Sequence, residues 1–446
     1  MRVSRQPDLA TGAVPFQPSR RSLLRTATVA GLATVPAVMG ANLAFAGTDS
    51  GTDSGIGTVG PLRLPEATEQ ITPLHVNVPE ALLRDLRHRL ASVRLPDRET
   101  VGDASQGVQL AKQISLLQYW RTQYDWRRFE RRINALGQYR TRIDGLGIHF
   151  LHVRSRHADA TPLILTHGWP GSFVEFLKAI GPLTDPTAYG GTAQDAFHVV
   201  IPSQPGFGFS DRPSATGWTT ARTAAAWAAL MERLGYRRYI AQGGDWGGGV
   251  TTQLGKLRPK GLIGTHLNFP EYAFSPPVTG TVTAAEQAAL DEIQTFSAQY
   301  SGYFQEQTTR PQTIGYALAD SPSGQASWIY EKFLDWTDNT GRPQGVLSTD
   351  EILDNITLYW LTDTAASSAR IYWQNSGGGG LTTLELPVGL SVFPHELVRS
   401  PRIWAERAYS DLAYFNDQLP FGGHFAAFEQ PQLFAEEVRK FTRLVK

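Results

Sequence analysis

Cysteine is absent from all 446 residues. A disulfide scaffold, a cysteine metal site and a thiol nucleophile are therefore excluded. The redox compartment stays open, because a chain without thiols is at home in either. Neither sign of charge is in excess, with 41 Lys and Arg against 41 Asp and Glu. No basic patch stands out, so nucleic acid is not an expected partner. No uninterrupted apolar run reaches the ~20 residues that a membrane span needs, and no internal repeat is visible. What remains is a chain 41% apolar and 18% charged, the balance of a large buried core. Its length suits one big domain with attachments.

The first 46 residues stand apart. Arg20-Arg21 lies in Ser19-Arg20-Arg21-Ser22-Leu23-Leu24-Arg25, and a mildly apolar stretch follows from Thr26 to Ala46, ending Ala44-Phe45-Ala46. A basic start, a short apolar run and a small-x-small end make an export signal over 1–46, and the paired arginines point to the twin-arginine route. Gly31, Pro36 and Gly40 break the run, which argues against a stable membrane anchor. This leader holds five arginines and one aspartate, so the chain without it has 36 basic and 40 acidic residues, a net charge of −4. Residues 47–60 are Gly, Ser, Thr and Asp with little apolar content, and a flexible linker over 47–69 is expected, with order beginning near Ile71.

Beyond it, Leu82, Leu83, Leu86, Leu90 and Val93 recur at helical spacing between Pro79 and Pro96. A second helical stretch spans roughly 108–122. Residues 70–140 read as a helical segment with too little core of its own, wrapping a main domain. From 141 to 269 short apolar strands (148–153, 163–166, 197–201, 239–241) alternate with helical patterns, the rhythm of a mostly parallel sheet covered by helices on both faces. Residues 270–385 are helix-like and rich in Trp and Tyr, a lid inserted into the sheet domain. The sheet resumes in 386–446, with a strand at 386–393 and a last helix from Pro431 to Leu444.

The chemistry concentrates at Gly243-Gly244-Asp245-Trp246-Gly247, between a strand and a helix. This is the nucleophile-elbow pattern with aspartate in place of serine. Glycines flank the turn because it is tight and side chains there would strike neighbouring elements. A carboxylate, with an ordinary pKa of ~3.9, needs no base before it attacks. Its attack on a saturated carbon yields an ester, which water can cleave, whereas serine would yield an ether. Asp245 thus selects alkyl transfer at sp³ carbon followed by ester hydrolysis. That hydrolysis places negative charge on the Asp245 carbonyl oxygen. The N–H of Trp246 is one candidate donor, and the turn His167-Gly168-Trp169-Pro170 supplies a second, the N–H of Trp169. His167 is expected to hold that loop by local hydrogen bonds, since no second ligand is spaced to make it a metal site.

His424, in Gly422-Gly423-His424-Phe425, is the expected base. The glycines before it suggest a loop that approaches another backbone closely. Glu396, which follows the strand 386–393, is preferred as the acid that orients it, in the chain order nucleophile, acid, histidine. Asp411 and Asp417 compete for that role.

The motifs HGWPGS (167–172), QPGFGFSD (204–211), GGDWGG (243–248), FPHEL (393–397) and GGHFAAFEQP (422–431) together resemble the microsomal-type epoxide hydrolases of the α/β-hydrolase superfamily. The resemblance covers roughly residues 70–446 and includes the wrapping segment. It implies an α/β-hydrolase fold with a helical lid, no cofactor and no metal. The partners it implies are a small apolar epoxide and water, the epoxide opened to a vicinal diol. It assigns the nucleophile to Asp245, the base to His424 and the acid to Glu396. It also implies two lid tyrosines that donate to the epoxide oxygen, matched to Tyr303 and Tyr359, so that Trp169, Trp246, Tyr303 and Tyr359 line the substrate site. A phenol with a pKa of ~10 suits that task, being protonated at neutral pH. By spacing alone Tyr300, Tyr316 and Tyr330 qualify equally. The N-terminus departs from the family's eukaryotic members, which begin with a membrane anchor. Two rivals remain: a haloalkane dehalogenase using the same aspartate, with the Trp169 and Trp246 indoles on the halide, and a ligand-binding protein that keeps the fold without catalysis.

Overall fold

The computed structural model describes residues 60–339, 346–376 and 383–446. The expected export signal (1–46), the first part of the expected linker (47–59) and the glycine run 377–380 lie outside them. The frame is a nine-stranded sheet in the order β1-β2-β3-β5-β4-β6-β7-β8-β9. Its strands are β1 (Thr72–Pro73), β2 (Gln138–Ile143), β3 (Leu146–Val153), β4 (Thr161–Thr166), β5 (Phe197–Pro202), β6 (Tyr239–Gly243), β7 (Leu262–Leu267), β8 (Val388–Ser391) and β9 (Leu412–Asn416). β1 to β3 and the β3–β5 pair run antiparallel, and every pair from β5 through β9 is parallel.

The central strands are apolar at consecutive positions because both faces of a parallel sheet are covered. Alternation still sorts their side chains. Leu163, Leu165, Val199 and Ile201 join one core cluster, while Ile164, Val200 and Ala241 join the other. Helices Thr220–Arg233 and Asp245–Leu257 cover the second face with Trp227, Leu230, Val250 and Leu254, and helix Pro431–Val445 lays Phe434, Val438 and Phe441 on the first.

The segment before β2 folds into helices Glu80–Ala91, Leu110–Thr122 and Trp126–Asn134. The first buries Leu83, Leu86 and Leu90, the 3- and 4-residue spacing of one helix face. These helices dock on the region between β7 and β8: Gln113 donates to the Ser323 carbonyl at 2.9 Å, and Tyr124 and Arg128 both reach the buried Asp354. One expectation fails here. Residues 61–69 are not a linker. Leu62 and Leu64 pack on the core, Ala67 is buried, and the Leu62 N–H donates to the Leu361 carbonyl at 2.9 Å. Their apolar residues are too sparse to show periodicity, so only tertiary contact reveals their place.

Among the described residues six α-helices lie between β7 and β8: Ala284–Thr295, Gly302–Thr309, Pro311–Asp320, Pro322–Trp336, Thr349–Thr362 and Ala365–Gln374. Thr283 and Ser348 open two of them with capping boxes, and Pro311 and Pro322 begin two others. No helix among the described residues is long and apolar enough to cross a membrane.

Candidate active site

Asp245 stands at the C-terminal end of β6, where open α/β sheets place their reactive groups, as the first residue of helix Asp245–Leu257. Its φ is +53°, a left-handed conformation that a non-glycine residue adopts only under constraint. The constraint is close packing. A Cβ on Gly247 would run into the Thr166 carbonyl of β4, and one on Gly243 into the Gly247 carbonyl. The strand-to-helix turn can therefore be this sharp only with glycine at both places, and the sharpness lifts the Asp245 carboxyl clear of the sheet.

The loop after β4 meets it there. The Trp169 N–H donates to Asp245 Oδ1 at 2.8 Å. Gly168 lies so close to the carboxyl that any side chain would collide with it. His167 holds the loop from behind: its Nδ1 lies 3.0 Å from the Gly168 carbonyl, its Nε2 accepts from the Gln204 N–H at 3.2 Å, and its carbonyl accepts from the Gln204 amide at 2.5 Å. Burial pushes the His167 imidazole down to about 4, so it is neutral. Trp246 follows Asp245 on the helix, its ring 4.8 Å from that of Tyr372.

His424 comes from the loop before helix Pro431–Val445. Its Nε2 is 3.6 Å from Asp245 Oδ2 and its Nδ1 is 2.6 Å from Glu396 Oε1. Glu396 Oε1 also accepts from the Leu397 N–H at 2.8 Å. Asp411 and Asp417 are exposed and do not meet the imidazole. Burial disfavours charge on His424, but Glu396 and Asp245 outweigh it and hold the imidazole well above its ordinary value, so the resting ring is an imidazolium between two carboxylates. The glycines before it serve a close approach: a Cβ on Gly423 would lie 2.5 Å from the Trp336 carbonyl, which accepts the His424 N–H at 2.9 Å. Glu429, a residue the sequence did not single out, straps this loop by accepting from the backbone N–H groups of Asp338 (2.7 Å), Gly423 (3.2 Å) and Phe425 (3.1 Å).

The tyrosines divide differently from expectation. Tyr303, on helix Gly302–Thr309, stacks on Trp169 with centroids 5.0 Å apart and planes 9° from parallel. Lys332, nearly fully buried, places Nζ 4.2 Å from the centre of the Tyr303 ring. Tyr359 is not beside it. Its hydroxyl donates to the Gly171 carbonyl at 2.7 Å, and one helical turn away Asn355 donates to the Pro170 carbonyl at 2.8 Å. Tyr359 therefore ties down the loop after β4, and the assignment of its hydroxyl to the substrate is corrected. The phenol that joins Tyr303 is Tyr372, 5.9 Å away ring to ring and edge-on. Its hydroxyl is buried, makes no bond to the backbone and faces the side chains of Tyr303 and Trp246. Burial, Tyr303 and the Asp245 carboxylate hold it well above the ordinary phenol value, and burial and Asp245 do the same for Tyr303, so both are donors. Tyr300 and Tyr316 are exposed, at 41% and 69%. In the sequence Tyr372 is one aromatic among many on an amphipathic helix. Only the folded lid sets it apart.

Among the described residues no three His, Cys, Asp or Glu side chains cluster as a metal site. The arrangement brings together a carboxylate with one N–H on its own oxygen, a histidine backed by a second acid, and two buried phenols. Comparison with known proteins gives the family. Residues 71–176 match the epoxide hydrolase N-terminus family and 161–363 the alpha/beta hydrolase fold family. A Stigmatella aurantiaca protein provisionally named an epoxide hydrolase is 62% identical over 84% of this chain and 86% of its own length. Epoxide hydrolase 1 of Sus scrofa is 35% identical over 88% and 93%. The solved Aspergillus niger epoxide hydrolase superposes with a TM-score of 0.75 at 31% identity, over 86% of this chain and 99% of that one. The chain belongs to the epoxide hydrolase family, on the α/β-hydrolase fold.

Proposed function

We propose that this enzyme opens an apolar epoxide to a vicinal diol through an ester on Asp245. The observation that carries the reading is the position of that carboxyl, held by the Trp169 N–H at 2.8 Å, 3.6 Å from His424 Nε2 and close enough to Tyr303 and Tyr372 for its charge to act on both. One Asp245 oxygen forms a bond to a ring carbon while the ring C–O bond breaks, and the alkoxide takes a proton from Tyr303 or Tyr372. The tyrosinate is neutralised by the proton that the His424 imidazolium gives up, directly or through solvent. Esterification favours that loss, because it removes one of the two carboxylate charges that hold the proton. Water then attacks the Asp245 carbonyl carbon and passes a proton to the freed imidazole. The ester C–O bond breaks, the departing oxygen takes the water's second hydrogen by way of the Asp245 carboxyl, and the carboxylate and imidazolium are restored. Trp169, Trp246, Tyr303, Phe304 and Tyr372 form one cluster of ring contacts that begins at the Trp169 and Trp246 neighbours of the carboxyl, which favours an apolar, and particularly an aryl, epoxide.

A single turnover of styrene oxide in oxygen-18 water tests this. The expected result is label in the Asp245 carboxyl and none in the first diol; label entering the first diol directly overturns it. Asp245→Ala should form no diol while remaining folded. The Arg20-Arg21 leader further supports export by a twin-arginine route. An Arg20→Lys, Arg21→Lys double variant retained in the cytoplasm is the expected outcome, and unchanged export counts against it.

A further inference from the structure

Lys332 is the only buried lysine among the described residues. An ammonium taken out of water is destabilising unless charge and hydrogen bonds offset the loss. Glu331 gives part of that offset, its Oε1 lying 2.5 Å from Lys332 Nζ. The Glu331 side chain is 31% exposed, however, and an ion pair with it could form at the surface without burying the lysine. What the burial achieves is placement. Lys332 and Trp336 stand one turn apart on helix Pro322–Trp336 and share a face. That face turns to the active site: Lys332 Nζ lies 4.2 Å from the centre of the Tyr303 ring and 5.5 Å from that of Trp336, and the Trp336 ring packs 5.1 Å from the His424 imidazole. The remaining charged neighbours are Asp335, on the same helix, and Lys112, on helix Leu110–Thr122. Burial, aided by Glu331, pushes Asp335 up to about 6 against the pull of Lys332 and Lys112.

We infer that Lys332 is a positioning residue for ring opening: its ammonium lies on the Tyr303 ring to stabilise the phenolate that forms when Tyr303 gives its proton to the epoxide's alkoxide. The inference rests on the ester mechanism proposed above, and it makes Tyr303 the phenol that yields its proton while Tyr372 donates a hydrogen bond. In this step the Tyr303 O–H bond breaks as the alkoxide O–H bond forms, the negative charge passes to the phenolate, and Lys332 keeps all its protons. A neutral ring attracts the cation through its quadrupole, and a phenolate attracts it through a full charge. The contact therefore strengthens as the transition state is approached, which is what accelerates a step. The neighbours of Tyr303 create the need. Burial, Asp245 and Glu331 all keep the proton on the phenol, and the hydrogen bond with Tyr372 works against them. Ester hydrolysis forms no phenolate and so does not draw on Lys332.

Rapid-quench mass spectrometry of the full chain tests this with benzyl oxirane and its analogue in which fluorine replaces both benzylic hydrogens. Lys332→Met keeps the length of the side chain and removes its charge. With benzyl oxirane it should form the ester about 30-fold more slowly, the scale of a desolvated cation–ring contact. The fluorinated epoxide opens to a much less basic alkoxide that draws less on the phenol's proton, so its loss should be about threefold or less. Hydrolysis of the ester should stay within about threefold of wild type, which certifies that His424 and the Trp169 loop are in place. Glu331→Gln keeps the cation, removes a carboxylate that holds the Tyr303 proton, and should form the ester no more slowly than wild type. Equal losses with the two epoxides, or a parallel loss in hydrolysis, would reduce Lys332 to packing and overturn the inference. Unaltered ester formation in Lys332→Met overturns it too, as does a Glu331→Gln enzyme as slow as Lys332→Met. A wild-type chain that never forms an ester overturns the parent mechanism, and this inference with it.

Discussion

Tyr359 and Tyr372 show how one residue type serves two ends in one site. Both are buried phenols close enough to Asp245 for its charge to raise them. What separates them is whether the hydroxyl is already committed. That of Tyr359 is given to the Gly171 carbonyl at 2.7 Å, while that of Tyr372 makes no backbone bond and faces only the Tyr303 and Trp246 side chains. A hydroxyl not committed to a backbone carbonyl can turn its hydrogen to a substrate oxygen at little cost to the fold. Tyr372→Phe should therefore slow ester formation about 10²-fold and leave stability nearly unchanged. Tyr359→Phe should instead cost about 1–3 kcal/mol of stability by leaving the Gly171 carbonyl unpaired, with a smaller effect on ring opening. Stopped-flow alkylation beside urea unfolding distinguishes them, and the reverse pattern would restore Tyr359 as the donor. Lys332, 4.2 Å above the Tyr303 ring, adds a cation whose attraction to that ring grows as the phenol gives up its proton.

At the scale of elements, each reactive group sits on a loop that another element fixes. Helix Thr349–Thr362 holds the loop after β4 through Asn355 and Tyr359, one turn apart on the same face. Glu429, from the turn Ala426–Glu429, holds the His424 loop through three backbone N–H groups. Burial leads its titration and pushes it up to about 7 against those three donors. Glu429→Ala would leave the donors buried without an acceptor, and a loss of about 2–4 kcal/mol in unfolding free energy is expected, with slower ester hydrolysis because His424 loses its register. A variant of wild-type stability would show that solvent replaces the strap. These fixings explain what could be read beforehand. The elbow was legible because its glycines answer to sterics within a few residues, as were His424, from the glycines ahead of it, and Glu396, from the end of its strand. Tyr372 and Glu429 were not, because nothing local marks them. Their roles come from contacts between segments far apart in the chain, and residues 61–69 were misread as a linker for the same reason.

For the whole molecule, the same burial that tunes the site sets the dependence of stability on pH. His149 is held down to about 3 and His167 and His266 to about 4, all chiefly by burial. A histidine depressed in the folded state contributes stability that is present above its unfolded value of ~6.5 and is lost as pH falls toward the folded value. Glu175 (about 8), Glu429 and Asp354 (both about 7) are shifted the opposite way, again led by burial. Their contribution is full below the unfolded carboxyl range of ~4 and is lost as pH rises through 7 and 8. His424, held well above its ordinary value, acts in the same direction on the alkaline side. From about pH 4.5 to 6 these histidines and His152 (about 4), which the unfolded chain protonates, offset these carboxyls and Asp335 (about 6), which the folded chain keeps protonated, and stability is nearly flat. Above about pH 6.5 the histidine contribution is complete and only the loss remains, at about 1.36 kcal/mol per pH unit for each proton held in excess by the folded state. Below about pH 4 Glu286, held down to about 2 chiefly by its hydrogen bond from the Thr283 N–H, adds its own loss to that of the histidines. The melting temperature should therefore hold level across the mildly acidic range and fall on both sides. Glu175→Gln, which cannot ionise, should flatten the alkaline fall. Scanning calorimetry from pH 3 to 9 checks both, and a melting temperature that climbs from pH 6.5 to 8.5 would mean that these carboxyls are ionised in the folded protein.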